Sequence, residues 1–218
     1  MLTNEDIKYI SDKIDVPKYD RAMMEYNNGR WRWEGKDFPR IPALIEFRKM
    51  VDELKLISKK MLILNDFDDP ELEFIETDKI VSCVYDNNPS EYDLHIMDLD
   101  EKDFDFVMCN QTLEHLYNPY VCLKTINKHI RSGGYFYANV PSNNIPHSTP
   151  YHFFTGITSS GLGAMIVESG FEIVKLGQWG NSHNLIKLFT DGWIDYTKSI
   201  WDNDVDYPII CWVLARKL

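Results

Sequence analysis

The segment from Phe104 to Pro141 constrains this chain most. It holds an apolar run (Phe104 to Cys109), a helix start at Asn118-Pro119, an apolar stripe of Leu123, Ile126 and Ile130, a Gly133-Gly134 stop and a second apolar run (Tyr135 to Val140). Short apolar runs bounded by turn residues read as strands buried on both faces. A helix between two strands cannot serve as a hairpin turn, so the strands lie parallel and the crossover is right-handed. An α/β architecture follows.

Similar runs occur at Met61 to Leu64, Ile80 to Val84 and Leu94 to Met97, with further strand candidates at Phe171 to Leu176 and Ile209 to Ala215. Thr3 and Asp6 resemble a capping box opening a first helix that ends before Pro17. Pro42 opens a second, with Leu44, Phe47, Val51 and Leu54 at helical spacing, and a third is expected from Thr158 to Ser169, stopped by Gly170. The 218 residues are expected to form a single domain: N-terminal helices and a cap over 1–58, a core sheet over 59–218, and an insertion or cap at 187–208.

With 44% hydrophobic residues the composition is globular, and no apolar window approaches a membrane span. The start MLTNEDIKYI has neither a basic region nor an apolar one, so a cytoplasmic location is expected. Cys83, Cys109, Cys122 and Cys211 are far apart in apolar runs, which suits reduced core thiols and argues against a metal cluster built on them. A net charge of −11 repels polyanions, so nucleic acid is not an expected partner, and the lack of a membrane-length apolar window means that a membrane is not expected either.

Ligands of open α/β sheets bind beyond the carboxyl ends of the strands. Those ends read Asn65-Asp66-Phe67-Asp68-Asp69, Tyr85-Asp86-Asn87-Asn88, Asp98-Leu99-Asp100 and Asn110-Gln111-Thr112-Leu113-Glu114-His115. Four successive strand ends therefore close on acids or amides.

DFDFVMCNQTLEHLYNP followed by IRSGGYFYANVP resembles the fourth and fifth strand motifs of class I S-adenosylmethionine-dependent methyltransferases. HSTPYHFFTGITSSGLGAMIVESGFEIVKLGQWG, the ending CWVLARKL and RWRWEGKDFPRIPALIEF extend the likeness to about Arg30 through Leu218. The resemblance implies a doubly wound, mostly parallel seven-stranded sheet with its last strand antiparallel, and S-adenosylmethionine across the strand ends. It implies that Asp98 meets the adenine with Leu99 beside the ring, that Asp86 or Tyr85 meets the ribose, and that Asn110 and Gln111 lie beneath the methionine. The family's first motif, an acid followed by glycines, is here Ile63-Leu64-Asn65-Asp66-Phe67-Asp68, with Asn65 and Asp66 as the residues best able to adopt left-handed backbone.

A hydroxyl acceptor needs a general base. His115 stands first, because the resemblance puts the transferred methyl near it; its alternative is a helix-start histidine bonded to Glu114. His147 and His152, flanking Pro150, are the other candidates, while His95 inside an expected strand reads as packed. Glu114 and His115 resemble metal ligands of some quinone-pathway members, but Gln111 stands where those carry an acid, and no metal is expected. Trp31, Trp33 and Trp179, with Trp193 and Trp201, offer aromatic faces for a sugar ring or, alternatively, seal a cap. The expected function is O-methylation of a small polar acceptor, a sugar or glycan hydroxyl first, with Glu114 also near substrate. The rivals are a non-catalytic binding or scaffold protein of the same fold, and an N- or protein methyltransferase.

Overall fold

The computed structural model describes residues 1–20, 38–65, 67–83, 93–192 and 199–218. Its strands are β1 (Ile14–Asp15), β2 (Ile57–Ser58), β3 (Met61–Ile63), β4 (Glu76–Thr77), β5 (Ile80–Ser82), β6 (Phe104–Asn110), β7 (Ile130–Pro141), β8 (Phe171–Trp179) and β9 (Ile210–Lys217). Its α-helices are α1 (Asn4–Lys13), α2 (Ile41–Leu54), α3 (Pro119–His129), α4 (Ser159–Glu168) and α5 (Ser182–Asp191).

Period-two alternation sends side chains to both faces of the central strands. Phe136, Ala138 and Val140 of β7 and Cys211, Val213 and Ala215 of β9 join a core with α1, α3 and α4. Tyr137 of β7 and Ile210, Trp212 and Leu214 of β9 point the other way, onto α2. Apolar demand on both faces makes the sheet a middle layer between helices.

The seven-stranded sheet runs β1-β8-β9-β7-β6-β3-β5, and β2 pairs with β4 separately. β9 is antiparallel to β7 and β8, while the other pairs are parallel. This is the expected doubly wound sheet, with two differences of membership. Ile14–Asp15 supplies an unexpected edge strand against Leu176 and Gly177. The strand expected at Leu94 to Met97 is instead a turn, because Asp93 Oδ1 accepts from His95 N at 2.9 Å and Asp93 O from Ile96 N at 3.0 Å. A side chain that closes a local turn competes with the ladder for the same donors.

The capping box forms as expected, Thr3 Oγ1 accepting from Asp6 N while Asp6 accepts from Thr3 N. α3 stops at His129 and β7 begins at once, running through Gly133 at φ 73 rather than starting after it. α5, capped by Asn181, whose side chain accepts from Asn184 N, starts before the expected insertion at 187–208 and runs into it. All four cysteines are buried, as core thiols should be. Among the described residues no helix is long and apolar enough to cross a membrane.

Candidate functional site

The chain leaves β3 toward the β5 edge and returns through β6 toward β7, so its direction of winding reverses between β3 and β6. At such a switch the loops beyond the strand ends part and leave a crevice. A cavity of about 300 Å³ opens there, lined by Leu64 after β3, Cys83 after β5, Thr112 and His115 after β6, Asp93 to His95, Leu116, Tyr117, Tyr151 and Phe153.

One wall is a fixed polar chain. His95 Nδ1 lies 2.6 Å from Asp93 Oδ1, and His95 Nε2 accepts from Asn118 N at 3.2 Å. With a backbone donor on Nε2, the ring's proton sits on Nδ1 and is donated to Asp93. The imidazole also stacks on Tyr117 with 3.8 Å between ring centroids. Partial burial pushes the Asp93 carboxyl upward, but the backbone and ring donors of His95 outweigh it and hold the acid below its usual range. Asp93 therefore presents a carboxylate to the cavity.

Beside the cavity, beneath the ends of β3, β6 and β7, lies a buried polar network. Arg40 Nη2 donates to Asp69 Oδ1 and Glu71 Oε2, both at 2.5 Å, and Arg40 Nε donates to Glu71 Oε1 at 3.2 Å. Asn110 Nδ2 donates to Asp69 Oδ2, and Asn139 Nδ2 donates to Glu71 Oε1 and Asn110 Oδ1. Gln111, at φ 48, donates from Nε2 to Asn139 Oδ1 at 2.7 Å. Burial raises the Glu71 carboxyl, against the pull of Arg40. Asn110 and Asn139 are directly paired in register, so the sheet itself aligns these amides.

At the rim three imidazoles meet. The ring centroids of His147 and His152 are 4.6 Å apart, those of His115 and His147 4.9 Å, and those of His115 and His152 5.3 Å. The loops that carry them are tied together, since Glu114 O accepts from both Phe153 N and Phe154 N. Burial, opposed by the Tyr151 carbonyl and reinforced by His147, holds His115 below the usual imidazole value; burial and the other two rings do the same to His152. Behind them the Glu114 carboxylate is fully buried with neither oxygen hydrogen-bonded, and burial pushes its pKa up to about 8.

The sequence candidates thus divide. His115, His147 and His152 come together, although they are separate in the chain. Asn65, Asn110 and Gln111 lie at the strand ends, in or next to the Arg40 network. Asp98 has its side chain 79% exposed and paired with Lys102, outside the cavity lining, whereas Asp93 with Leu94 lines the cavity. Leu99 packs partly buried against the core, donating its backbone N to His129 Nε2. Trp179 is a core residue, fully buried against Trp201, and offers no face to a ligand. Glu114 is likewise enclosed, and His95 lines the cavity rather than packing in a strand. Asp66, Tyr85, Asp86, Trp31 and Trp33 lie outside the described residues. Asp69 belongs to the acidic loop expected at the first strand end, whereas Arg40, Glu71 and Asp93 were not singled out; a carboxylate before the turn at Leu94 was the available signal for the last.

Gly156 pins the histidine-bearing loop. A Cβ there would stand 1.9 Å from Ser142 O and 2.9 Å from Asn143 N, both backbone atoms that cannot step aside. Gly156→Ala is expected to destabilise the protein by about 3 kcal/mol, the upper end of overpacking costs. Urea denaturation checks this, and a loss below about 0.5 kcal/mol, typical of an unconstrained surface site, would refute the close approach.

Residues 63–138 match the model of the methyltransferase domain family. Among solved structures, an S-adenosylmethionine-dependent methyltransferase from Mesorhizobium loti is similar at a TM-score of 0.51 and 13% identity, over 82% of this chain and 98% of that one. Another from Clostridium acetobutylicum gives 0.51 at 9% identity, over 90% and 98%. Phosphoethanolamine N-methyltransferase 2 from Haemonchus contortus, in complex with phosphomonomethylethanolamine and S-adenosylhomocysteine, gives 0.50 at 9% identity over 79% of this chain and 52% of that one. No curated protein matches the sequence. The fold is the Rossmann-like methyltransferase fold, and within it residues 63–138 carry the match to a methyltransferase domain. From Gly35 to Gly133 the chain has no intervening glycine, so the loop after β3 is built of Asn, Asp and Phe.

Proposed function

We propose that this protein methylates a hydroxyl oxygen of a small polar acceptor, a sugar or glycan hydroxyl foremost, at the histidine cluster. The observation that carries this reading is the placement of three imidazoles at the rim of a cavity at the switch point. A volume of about 300 Å³ is at the lower end for small-ligand sites, which run to roughly 1,000 Å³. Leu64, Cys83 and Leu94 supply apolar walls and Asp93 a hydrogen-bond acceptor, a lining that fits the adenosine half of the cofactor. Thr112 and Leu116 would complete that half. Bound S-adenosylmethionine supplies an electrophilic methyl carbon whose bond to sulfur breaks, the electron pair staying on sulfur, as the acceptor oxygen bonds to carbon.

The chain's own residues orient the acceptor and take its proton. His115 and His152, held below the usual imidazole value, are neutral near pH 7 and accept a proton from a hydroxyl. His115 lines the cavity itself, so the proton acceptor and the methyl site adjoin. Tyr117, Tyr151 and Phe153 are exposed along the same rim, and aromatic faces there suit a sugar ring.

The Arg40 network favours one other reading. It satisfies Asp69, Glu71, Asn110, Asn139 and Gln111 within the protein, as a non-catalytic member of the fold would, and leaves the adjoining cavity for a ligand. Melting with S-adenosylhomocysteine separates the two. At a concentration 100-fold above Kd, the ligand adds about 2.7 kcal/mol, or roughly 5–10 °C for a chain of this size. Asp93→Ala is expected to abolish most of that shift and Asp98→Ala to leave it intact. No shift at millimolar ligand would favour the binding-protein reading and sink methyl transfer.

A further inference from the structure

The three imidazoles raise a question that proton transfer alone does not answer, since one histidine suffices as a base. His115, His147 and His152 each offer a ring nitrogen within 4.8 Å of the others. Four-coordinate zinc holds its nitrogens at about 2.0–2.1 Å, which sets them about 3.3 Å from one another; small rotations of rim side chains close the difference. We propose that these three histidines bind a divalent first-row transition ion, zinc being the representative, which receives the acceptor's hydroxyl.

Two observations independent of the clustering support a ligand here. Both ring nitrogens of His152 are buried without a hydrogen-bond partner among the described residues. The Glu114 carboxylate, also buried and unpartnered, has Oε1 3.7 Å from His115 Nε2. Leaving these four buried atoms unsatisfied costs stability unless something compensates them. A cation at the cluster relieves both residues: it takes the lone pair of one His152 ring nitrogen and places positive charge beside the Glu114 carboxyl.

The tautomers agree. His115 Nδ1 lies 2.8 Å from Tyr151 O, and His147 Nδ1 lies 2.9 Å from Ile145 O. A carbonyl only accepts, so each Nδ1 carries the proton and each Nε2 the lone pair. A backbone carbonyl on the far nitrogen is the usual orientation of a metal-bound histidine. Neutral imidazoles suit zinc, copper, iron and nickel better than magnesium or calcium, which prefer oxygen. Three protein ligands leave a position open, as catalytic rather than closed structural sites do.

The inference rests on the methyl-transfer reading for its acceptor and changes how the hydroxyl is activated. An oxygen bound to the ion loses its proton to water near neutral pH, and the resulting alkoxide is the nucleophile. This assigns the acceptor to molecules that can present a hydroxyl oxygen to the ion's open position, as sugars do.

Cobalt(II) gives a readout that needs neither cofactor nor acceptor. Tag-free, chelator-treated protein titrated with Co²⁺ is expected to develop visible bands of a low-symmetry four- or five-coordinate ion at one equivalent, displaced by Zn²⁺. His147→Ala and His152→Ala should each weaken Zn²⁺ beyond the roughly 10- to 100-fold that loss of an outer partner costs. The exposed His183→Ala should bind as wild type does. Melting of each metal-free variant reports whether it is folded. Absent bands in the wild type, or binding that survives both folded variants, would overturn the site. Because S-adenosylhomocysteine binding is read separately, such a failure leaves the methyl-transfer reading standing.

Discussion

Arg40→Ala is expected to cost the fold about 3–5 kcal/mol, the range measured when one partner of a buried ion pair is removed. Two carboxylates depend on this guanidinium, Asp69 and Glu71, and their side chains are 1% and 0% exposed. Without it both remain beneath the strand ends with like charges adjacent, and at least one must take up a proton. The amides of Asn110 and Asn139 each donate to one of these acids, so the loss spreads to the ends of β6 and β7. Urea denaturation at pH 7 gives the magnitude. A triple variant, Arg40→Met with Asp69→Asn and Glu71→Gln, should recover most of the loss, since it removes the charges together. Arg40→Ala within 1 kcal/mol of wild type would mean the guanidinium is not buried against these acids.

That network shows how the loop after β3 is held in this sheet without glycine. Glycines let a loop pass close to a ligand. Here the loop after β3 is held by side chains instead: Asn65 Nδ2 donates to Asp69 Oδ1, and Asn65 O accepts from Ser82 Oγ. The acids that a scaffold reading would expect in the cleft are present, but beside the cavity rather than in it.

The sheet was legible where burial on both faces imposed itself on composition. From Phe104 to Pro141 the apolar runs, the Asn118 cap and the helical stripe all act locally and agree with one another. The run Leu94 to Met97 carried the same apolar signal, yet one carboxylate, Asp93, redirects it into a turn through bonds that hydropathy does not register. α5 was missed because its stripe is short, although Asn181 marked its start. The histidines were visible as candidates, but their convergence depends on Glu114 O holding the backbone of Phe153 and Phe154, a contact 39 and 40 residues long in sequence. The Arg40 network draws its members from four separate segments, and sequence spacing carries no trace of it. Trp179 shows the opposite error: aromatic residues near an end of a chain's sheet serve the core as readily as a ligand.

Glu114→Gln is expected to remove a steep pH dependence from the stability of the metal-free protein. The Glu114 pKa is about 8 in the folded state against 4.5 as its ordinary value, because burial disfavours the charged form. Between those values the folded state holds a proton that the unfolded state has released, so stability falls as pH rises, by up to roughly 1.4 kcal/mol per pH unit. The stability is fully present below about pH 4.5 and lost as pH climbs through 8, a total of about 4–5 kcal/mol. Glutamine cannot ionise, so the variant should match wild type within about 1 kcal/mol near pH 5 and exceed it by several at pH 8.5, the order of the charge-burial cost removed. Urea denaturation in the presence of a chelator at both pH values checks the sign, and parallel behaviour of the two proteins would show that the carboxylate reaches a partner or solvent. Zinc should reverse the ranking at pH 8.5: a cation on the cluster stabilises the Glu114 carboxylate, and glutamine forgoes that attraction.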